Sequence, residues 1–274
     1  MKKFIIILGY ITLIFIALSM LFPFFAMLNL AFTPEDEIFK NVGVFFHTKL
    51  TLENFRHVFS EIPITKFFFN SMIVSVITTV GQVIISSLAG YSFARLNFKY
   101  KEFWFITILI TMMVPPQVNI IPLFFLMREL HLINTYPALI LPGLFGGFGV
   151  FMMRQYFLSL PKDLEESAKI DGCNLIQTFF KIALPLSLPA AITLGIFTFV
   201  TTWNSFMWPL IITNSENMRT LPVGLAIFKG SFREITLWGD LLACAVICTI
   251  PVIIIFLIGK KYFLSDLLSG AVKE

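Results

Sequence analysis

The sequence predicts an all-α membrane protein with six transmembrane helices. Apolar residues make up 57% of the 274 residues, charged residues make up 13%, and the mean hydropathy is +0.87. These values lie far outside the range of soluble globular domains. The apolar residues are gathered into six runs long enough to cross a bilayer, and their cores lack Asp, Glu, Lys, Arg and His. The lipid bilayer is therefore the first predicted partner.

The positions of charged residues define the first span and the segment after it. The chain begins with Met1-Lys2-Lys3 and is then uncharged from Phe4 to Phe32. A cleaved signal peptide has an apolar core of only about 7–15 residues, so this longer run is predicted to be a retained span over residues 1–32. Residues 33–66 carry five acidic side chains and are predicted to form an external segment.

The remaining spans follow within a core over residues 67–259. They are predicted over residues 67–93, 103–127, 136–153, 183–211 and 239–259. The segments between and after them are a cytoplasmic loop over 154–182, an external loop over 212–238 and a cytoplasmic tail over 260–274. Arg95, Lys99 and Lys101 follow the second span, whereas Arg128 alone follows the third. This excess of positive charge predicts that both termini are cytoplasmic.

The third span is interrupted by two consecutive prolines, Pro115 and Pro116. They remove two backbone donors and free carbonyl groups at mid-depth, which lipid tolerates only if protein or water satisfies them. The pattern fits a broken helix beside a polar pathway and equally a packed kink. Gly143 and Gly147, in the fourth span, have the spacing typical of close helix packing.

The cytoplasmic loop has a helical pattern of its own. Asp163 with Glu166, and Asn174 with Gln177, have the spacing of capping boxes at two successive helix starts. Gly172 lies between them, where a helix can end with positive φ. Two short helices are therefore predicted.

An apolar stripe is predicted along these two helices, with one face left for a partner. Its members recur at helical spacing and are Leu164, Ala168, Leu175, Phe179 and Ile182.

Several function classes are disfavoured by the sequence. It contains no phosphate-binding loop, no zinc-ligand cluster and no catalytic triad pattern, so neither catalysis nor a metal is expected. The basic residues form no stripe, so nucleic acid is not an expected partner. Cys173, Cys244 and Cys248 are predicted to be packing thiols. Because ionisable groups are absent from the span cores, proton coupling is disfavoured, and energy for transport is expected to come from another protein.

The loop also resembles a known signature. Glu166-Ser167-Ala168, Asp171-Gly172, and then after nine residues Ile182, Leu184 and Pro185, are similar to the loop motif of ATP-driven, binding-protein-dependent importers, with Ser167 in place of Ala. Further segments resemble the six-span permease subunit of maltose-type sugar importers, which has the MetI-like fold. They are Thr51–Phe55, Phe69–Ser71, Ala89–Leu96, Val114–Gln117, Asn134–Pro142, Trp203–Pro209, Thr220–Leu225 and the tail Tyr262–Lys273, where Asp266 and Glu274 replace the usual glycine.

The resemblance implies a set of partners in a bacterial or archaeal inner membrane. They are a second related permease, two ATPase subunits that hold ATP and Mg²⁺, and an extracellular or periplasmic sugar-binding protein; this chain would bind no cofactor itself. The loop Asp163–Pro185 would be the coupling helix seated on one ATPase. The residues that match the signature there are Glu166, Ser167, Ala168, Asp171, Gly172, Ile182, Leu184 and Pro185. Glu166 would contact the ATPase or only cap its own helix, and the sequence leaves both open.

Amide and aromatic side chains near breaks in the spans are candidates to line the pathway. Gln117 and Asn119 lie in the third span, and Trp203 and Asn204 lie in the fifth. Such side chains suit the hydroxyls and apolar ring faces of sugars, although interhelical hydrogen bonding would explain them too. The alternatives are a secondary sugar carrier, a permease for a polyol or glycerol phosphate, and a polytopic membrane enzyme.

Overall fold

The computed structural model describes residues 2–38, 40, 48–231 and 237–271, and the side chains of all of these except 2, 227–231 and 262–271. Parts of the predicted external segment (39, 41–47), external loop (232–236) and tail (272–274) lie outside the described residues, as do the side chains of the tail motif Tyr262–Lys273. Every regular element in the described part is helical, which confirms the predicted all-α class.

Three helices are long and apolar enough to cross a membrane. They are α1 (Lys2–Ala31), α4 (Ile64–Arg95) and α15 (Trp238–Ala271). Between α4 and α15 lie three bent helix pairs that pass the same test when each pair is taken as one span. The pairs are Lys101–Thr111 with Pro116–Glu129, Tyr136–Gly143 with Gly147–Ser159, and Leu175–Leu186 with Leu188–Trp203. Among the described residues, up to six spans are therefore present, three of them broken.

The chain divides into two compact units, and the first contains Met1–Lys66 and Leu221–Pro251. Besides α1 and the beginning of α15, it holds α2 (Glu35–Ile38), α3 (Glu53–Glu61) and α14 (Leu221–Ser231). The buried amide of Asn54 donates to the carbonyl oxygens of Ala31 and Thr33 at 2.9 and 2.8 Å. The carboxylate of Glu35 accepts from the backbone N–H groups of Trp238 and Gly239, at the N-terminus of α15. Side chains of residues 33–66 thus bind the C-terminal end of α1 and the N-terminal end of α15.

The second unit contains Phe67–Thr220 and Val252–Glu274. Its α-helices after α4 are α5 (Lys101–Thr111), α6 (Ile120–Glu129), α7 (Tyr136–Ile140), α8 (Gly147–Ser159), α9 (Asp163–Ile170), α10 (Leu175–Thr178), α11 (Leu184–Leu186), α12 (Leu188–Trp203) and α13 (Met207–Ile212). Short 3₁₀ turns cover Pro116–Asn119, Leu141–Gly143 and Glu216–Met218, and a π-helical segment covers Phe179–Ala183.

Small residues let α4 and its neighbours approach closely. A Cβ atom at Gly90 would lie 2.7 Å from Cβ of Met153 and 2.8 Å from the backbone nitrogen of Arg154. At Gly143 it would lie 2.6 Å from Cγ2 of Thr78, and at Gly147 3.0 Å from the carbonyl oxygen of Ile108. These approaches agree with the packing role predicted for Gly143 and Gly147.

The fifth span differs from the predicted run 183–211. The helix α12 ends at Trp203, residues 204–206 form a break, and α13 begins at Met207. Pro209 has no N–H, and its ring would clash with the carbonyl group of Ser205 if the helix continued. Hydropathy alone does not register this break because the residues on both sides are apolar.

Candidate functional site

A groove of about 590 Å³ lies beside the break in the third span. Its polar lining consists of amide and hydroxyl side chains, and its apolar lining includes two aromatic rings. The polar residues are Thr78, Gln117, Asn119, Thr201, Thr202 and Ser205, and the aromatic residues are Phe206 and Trp208. A groove of this size and mixed lining can hold a small ligand.

The two consecutive prolines shape one wall of the groove. The helix α5 ends at Thr111, Pro115 is extended at φ −57° and ψ 131°, and Pro116 begins the 3₁₀ turn. The two halves of the span are bent by 91°. This turn presents the exposed side chains of Gln117 and Asn119 to the groove. The structure therefore contains the break that the prolines predict.

The second break contributes another part of the lining. Thr201 and Thr202 come from the last turn of α12, Ser205 from the break, and Trp208 from α13. The indole N–H of Trp208 donates to the carbonyl oxygen of Ala138 at 3.0 Å, which fixes the ring. Trp208 thus offers a rigid apolar face beside the polar groups.

Two of the four candidate pathway residues lie in this groove and two do not. Trp203 is only 1% exposed and packs edge-on against Phe68 and stacked on Phe199, with ring centroids 5.5 and 5.7 Å away. Asn204 is exposed, and its amide donates to the carbonyl oxygen of Val200 at 2.9 Å. The tryptophan of the groove is Trp208, since the break after Trp203 redirects the chain.

The helix start at Asp163 corrects one prediction. The N-cap of α9 is Lys162, no side chain caps the helix, and Asp163 is its first residue. Glu166 is therefore the fourth helical residue, one position too late for a capping box. The predicted capping box at Asp163 and Glu166 is wrong, and Glu166 does not cap its own helix.

The second helix start confirms the other prediction. Oδ1 of Asn174 accepts from the backbone N–H of Gln177, and Oε1 of Gln177 accepts from the backbone N–H of Asn174, both at 2.9 Å. Between the helices, Gly172 has φ +81°, its N–H donates to Lys169, and the N–H of Cys173 donates to Ala168. This is the Schellman arrangement at a helix end.

The predicted apolar stripe is not continuous. Ala168 and Phe179 are buried and Ile182 is half-buried, but Leu164 and Leu175 are 43% and 47% exposed. The turn at Gly172 changes the helix direction, so a single helical period does not carry across it.

The rest of the signature lies partly outside α9. Ser167 is exposed, and its hydroxyl donates to the carbonyl oxygen of Asp163 at 2.8 Å. Asp171 and Pro185 are exposed, whereas Leu184 packs against the buried core around Tyr91. The signature residues therefore do not share one surface.

Within the described residues, the acidic side chain of α9 that contacts the rest of the unit is Glu165. Its Oε1 lies 2.8 Å from Nε of Arg95, the last residue of α4, and the two side chains are 13% and 5% exposed. The guanidinium also donates from Nη2 to the carbonyl oxygen of Leu160 at 2.6 Å. In the sequence, Arg95 is recognisable only as a topology signal, and no local pattern pairs it with Glu165.

Comparisons with known proteins identify the family. Residues 82–267 match the family described as "Binding-protein-dependent transport system inner membrane component". The chain is 38% identical over 262 residues to the arabinooligosaccharides transport system permease protein AraQ of Halalkalibacterium halodurans, covering 94% of this chain and 93% of that protein. It is 37% identical over 278 residues to the trehalose/maltose transport system permease protein MalG of Thermococcus litoralis, covering 100% and 98%.

A solved structure shows the same fold. A chain of a bacterial ABC transporter that imports the acidic polysaccharide alginate superimposes with a TM-score of 0.85 at 23% identity, covering 96% of this chain and 97% of that one. The chain belongs to the binding-protein-dependent permease family, as its loop signature indicated. It is an inner-membrane permease component of an ABC importer and not an enzyme.

Proposed function

We propose that this chain is one of two related permease subunits of an ATP-driven importer, and that its solute is an uncharged oligosaccharide. The groove lined by amides, hydroxyls and the fixed indole of Trp208 carries this proposal. Such groups match the hydroxyls and the apolar ring face of a sugar. The second subunit would complete the pathway on the other side.

The absence of ionisable residues from the groove lining favours uncharged solutes over charged ones. None of the residues that line it is ionisable. A glycerol phosphate or an acidic sugar would therefore find no cationic partner there, although such groups are usually bound by Arg or Lys. Relatives of this chain are named for arabinooligosaccharide and trehalose/maltose transport. A neutral polyol is the remaining alternative that the groove chemistry admits.

The exposed face of α9 supports the docking of an ATPase subunit. Ile170 is 87% exposed, and the Glu166 side chain is exposed, with no hydrogen bond or ion pair from its carboxylate to the described residues. Leaving a large aliphatic side chain in water forgoes about 2 kcal/mol of burial energy, so a partner that covers it is favoured. Since Glu166 is not a cap, its carboxylate is available to that partner. ATP and Mg²⁺ would be held by two such ATPase subunits.

The transport cycle follows from these two sites. With both termini cytoplasmic, α9 faces the ATPases, and a sugar-binding protein delivers solute to the opposite side. Closure of the ATPases around ATP would displace α9 and shift the two permeases between outward-open and inward-open states.

Reconstitution of the whole complex tests the proposal. The chain is purified with its co-expressed partners and placed in liposomes that contain ATP, with the binding protein outside. We expect ATP-dependent uptake of a neutral oligosaccharide and no uptake of glycerol 3-phosphate. Uptake without the ATPases would indicate a secondary carrier, and a preference for a polyol or a phosphate ester would overturn the proposed solute.

A further inference from the structure

The helix α9 is held to its unit by very little apolar packing. Ala168 is its only buried residue, although α9 spans Asp163–Ile170. If an ATPase moves α9, this small contact alone would let α9 shift relative to the membrane helices without moving them. Some other interaction must therefore fix α9 to the membrane helices.

The Arg95 guanidinium supplies that interaction at the point where three elements meet. It extends from the end of α4, forms the ion pair with Glu165 on α9, and donates to Leu160 at the end of α8. With the Arg95 side chain only 5% exposed, solvent screens the pair weakly, and its attraction is stronger than that of a surface pair. The Nε–H of Arg95 is not directed at the Glu165 carboxylate oxygen, so this contact is an ion pair and not a hydrogen bond.

Tyr91 adds a second contact one helical turn earlier on α4. Its hydroxyl lies 3.5 Å from Oε2 of Glu165, so both carboxylate oxygens face α4. The Tyr91 ring is buried and packs against Phe157 of α8 and Phe179 of the π segment, at centroid distances of 5.4 and 5.1 Å. The position of Glu165 is thereby linked to the aromatic core of the unit.

We propose that the Arg95–Glu165 ion pair, together with Tyr91, is the contact that makes α9 move as one body with α4 and α8. This inference rests on the proposed function. Glu165 and Arg95 are positioning residues, since they touch neither solute nor nucleotide. Glu166, the adjacent residue, lies about 100° around the helix from Glu165 and is exposed, on the side proposed for docking. The two neighbouring carboxylates therefore have separate roles, one toward the membrane helices and one toward the ATPase.

A buried ion pair is a poor source of stability compared with apolar residues of similar size, but the loss of one partner alone is strongly destabilising. A test must therefore separate folding from coupling. The readout is the number of solute molecules imported per ATP hydrolysed in proteoliposomes, which a merely structural residue would not change once the complex has assembled.

We expect Glu165→Gln to lower this ratio about tenfold while the ATPases still co-purify. Arg95→Lys should lower it as well, because lysine lacks the planar guanidinium that contacts Glu165 from Nε and the Leu160 carbonyl from Nη2. Asp163→Asn is the matched control: it makes the same acid-to-amide change at an exposed position of α9 and should leave the ratio unchanged.

A second variant covers the case in which Glu165→Gln fails to assemble. Arg95→Met combined with Glu165→Met keeps apolar packing and removes both the ion pair and the hydrogen bond to Leu160, so we expect assembly with a low ratio. A wild-type ratio in this variant, or in an assembled Glu165→Gln complex, would overturn the inference. If the unaltered chain neither captures ATPases nor imports solute, the proposed function itself fails instead.

Discussion

His57 and Asp240 lie 183 residues apart in the sequence, yet Nδ1 of the imidazole is 2.5 Å from Oδ2 of the carboxylate. The Asp240 side chain is 4% exposed and lies near the beginning of α15, whereas His57 is on α3. The pair ties α3 to α15 within the first unit.

His57→Ala should destabilise the protein, because it leaves a buried carboxylate without a partner. We expect a loss of about 2 kcal/mol in the free energy of unfolding. Thermal unfolding in detergent measures it. Glu61→Gln is the control: Glu61 lies 3.9 Å from the other ring nitrogen, is half-exposed, and should contribute less than about 0.5 kcal/mol. Equal effects of the two substitutions would contradict the assignment.

Asn119→Leu should weaken solute uptake. It removes an amide from the groove and leaves sugar hydroxyls without a partner there, so the solute concentration at half-maximal uptake should rise about tenfold. Uptake by proteoliposomes measures this change. Asn204→Leu alters the same kind of side chain outside the groove and should have little effect. If both variants behave alike, the groove is not the solute pathway.

Glu166→Ala should reduce the recovery of ATPase subunits with the purified permease. Since Glu166 does not cap α9, the substitution removes a docking group while the loop stays folded. Quantified co-purification should fall by about tenfold, the equivalent of about 1.4 kcal/mol. Asp163→Ala makes the same charge change in the first turn of α9 and should retain the ATPases. Full recovery with Glu166→Ala would exclude this docking role.

Gly172→Ala should loosen the loop between α9 and α10. The backbone there has φ +81°, a conformation that costs an L-residue about 1–2 kcal/mol. Among the described residues other than Gly172 and its two chain neighbours, no atom lies within 4 Å of the position that the new Cβ would occupy, so the cost is conformational. Limited proteolysis of the loop should become about fivefold faster. Gly172→Asn should be milder, because Asn tolerates this conformation better; the reverse order would argue against backbone strain.

Much of the fold follows from local sequence chemistry. The break at Pro115 and Pro116, the cap at Asn174 and the end at Gly172 depend on residues close in sequence, whose backbone requirements are specific. The family follows from fixed spacing in the loop.

The missed features depend on contacts between distant residues. Nothing in the sequence pairs Arg95 with Glu165 or His57 with Asp240, and charge counting treats each as a separate surface group. The capping box expected at Asp163 fails because the same spacing fits a helix that starts one residue earlier. Trp203 and Trp208 are the same residue type within the same predicted span, so the sequence does not distinguish them. The break between them determines that Trp208, and not Trp203, lines the groove.

The π-helical segment Phe179–Ala183 sets the rotational phase between the loop and the fifth span. The N–H of Leu184 donates to the carbonyl oxygen of Phe179, five residues earlier, so one extra residue is accommodated in this turn. Winding the same residues as an ordinary α-helix would rotate everything on one side by about 100° relative to the other. Phe179 would then turn away from Tyr91, and the loop would point in a new direction although every residue of its signature was intact.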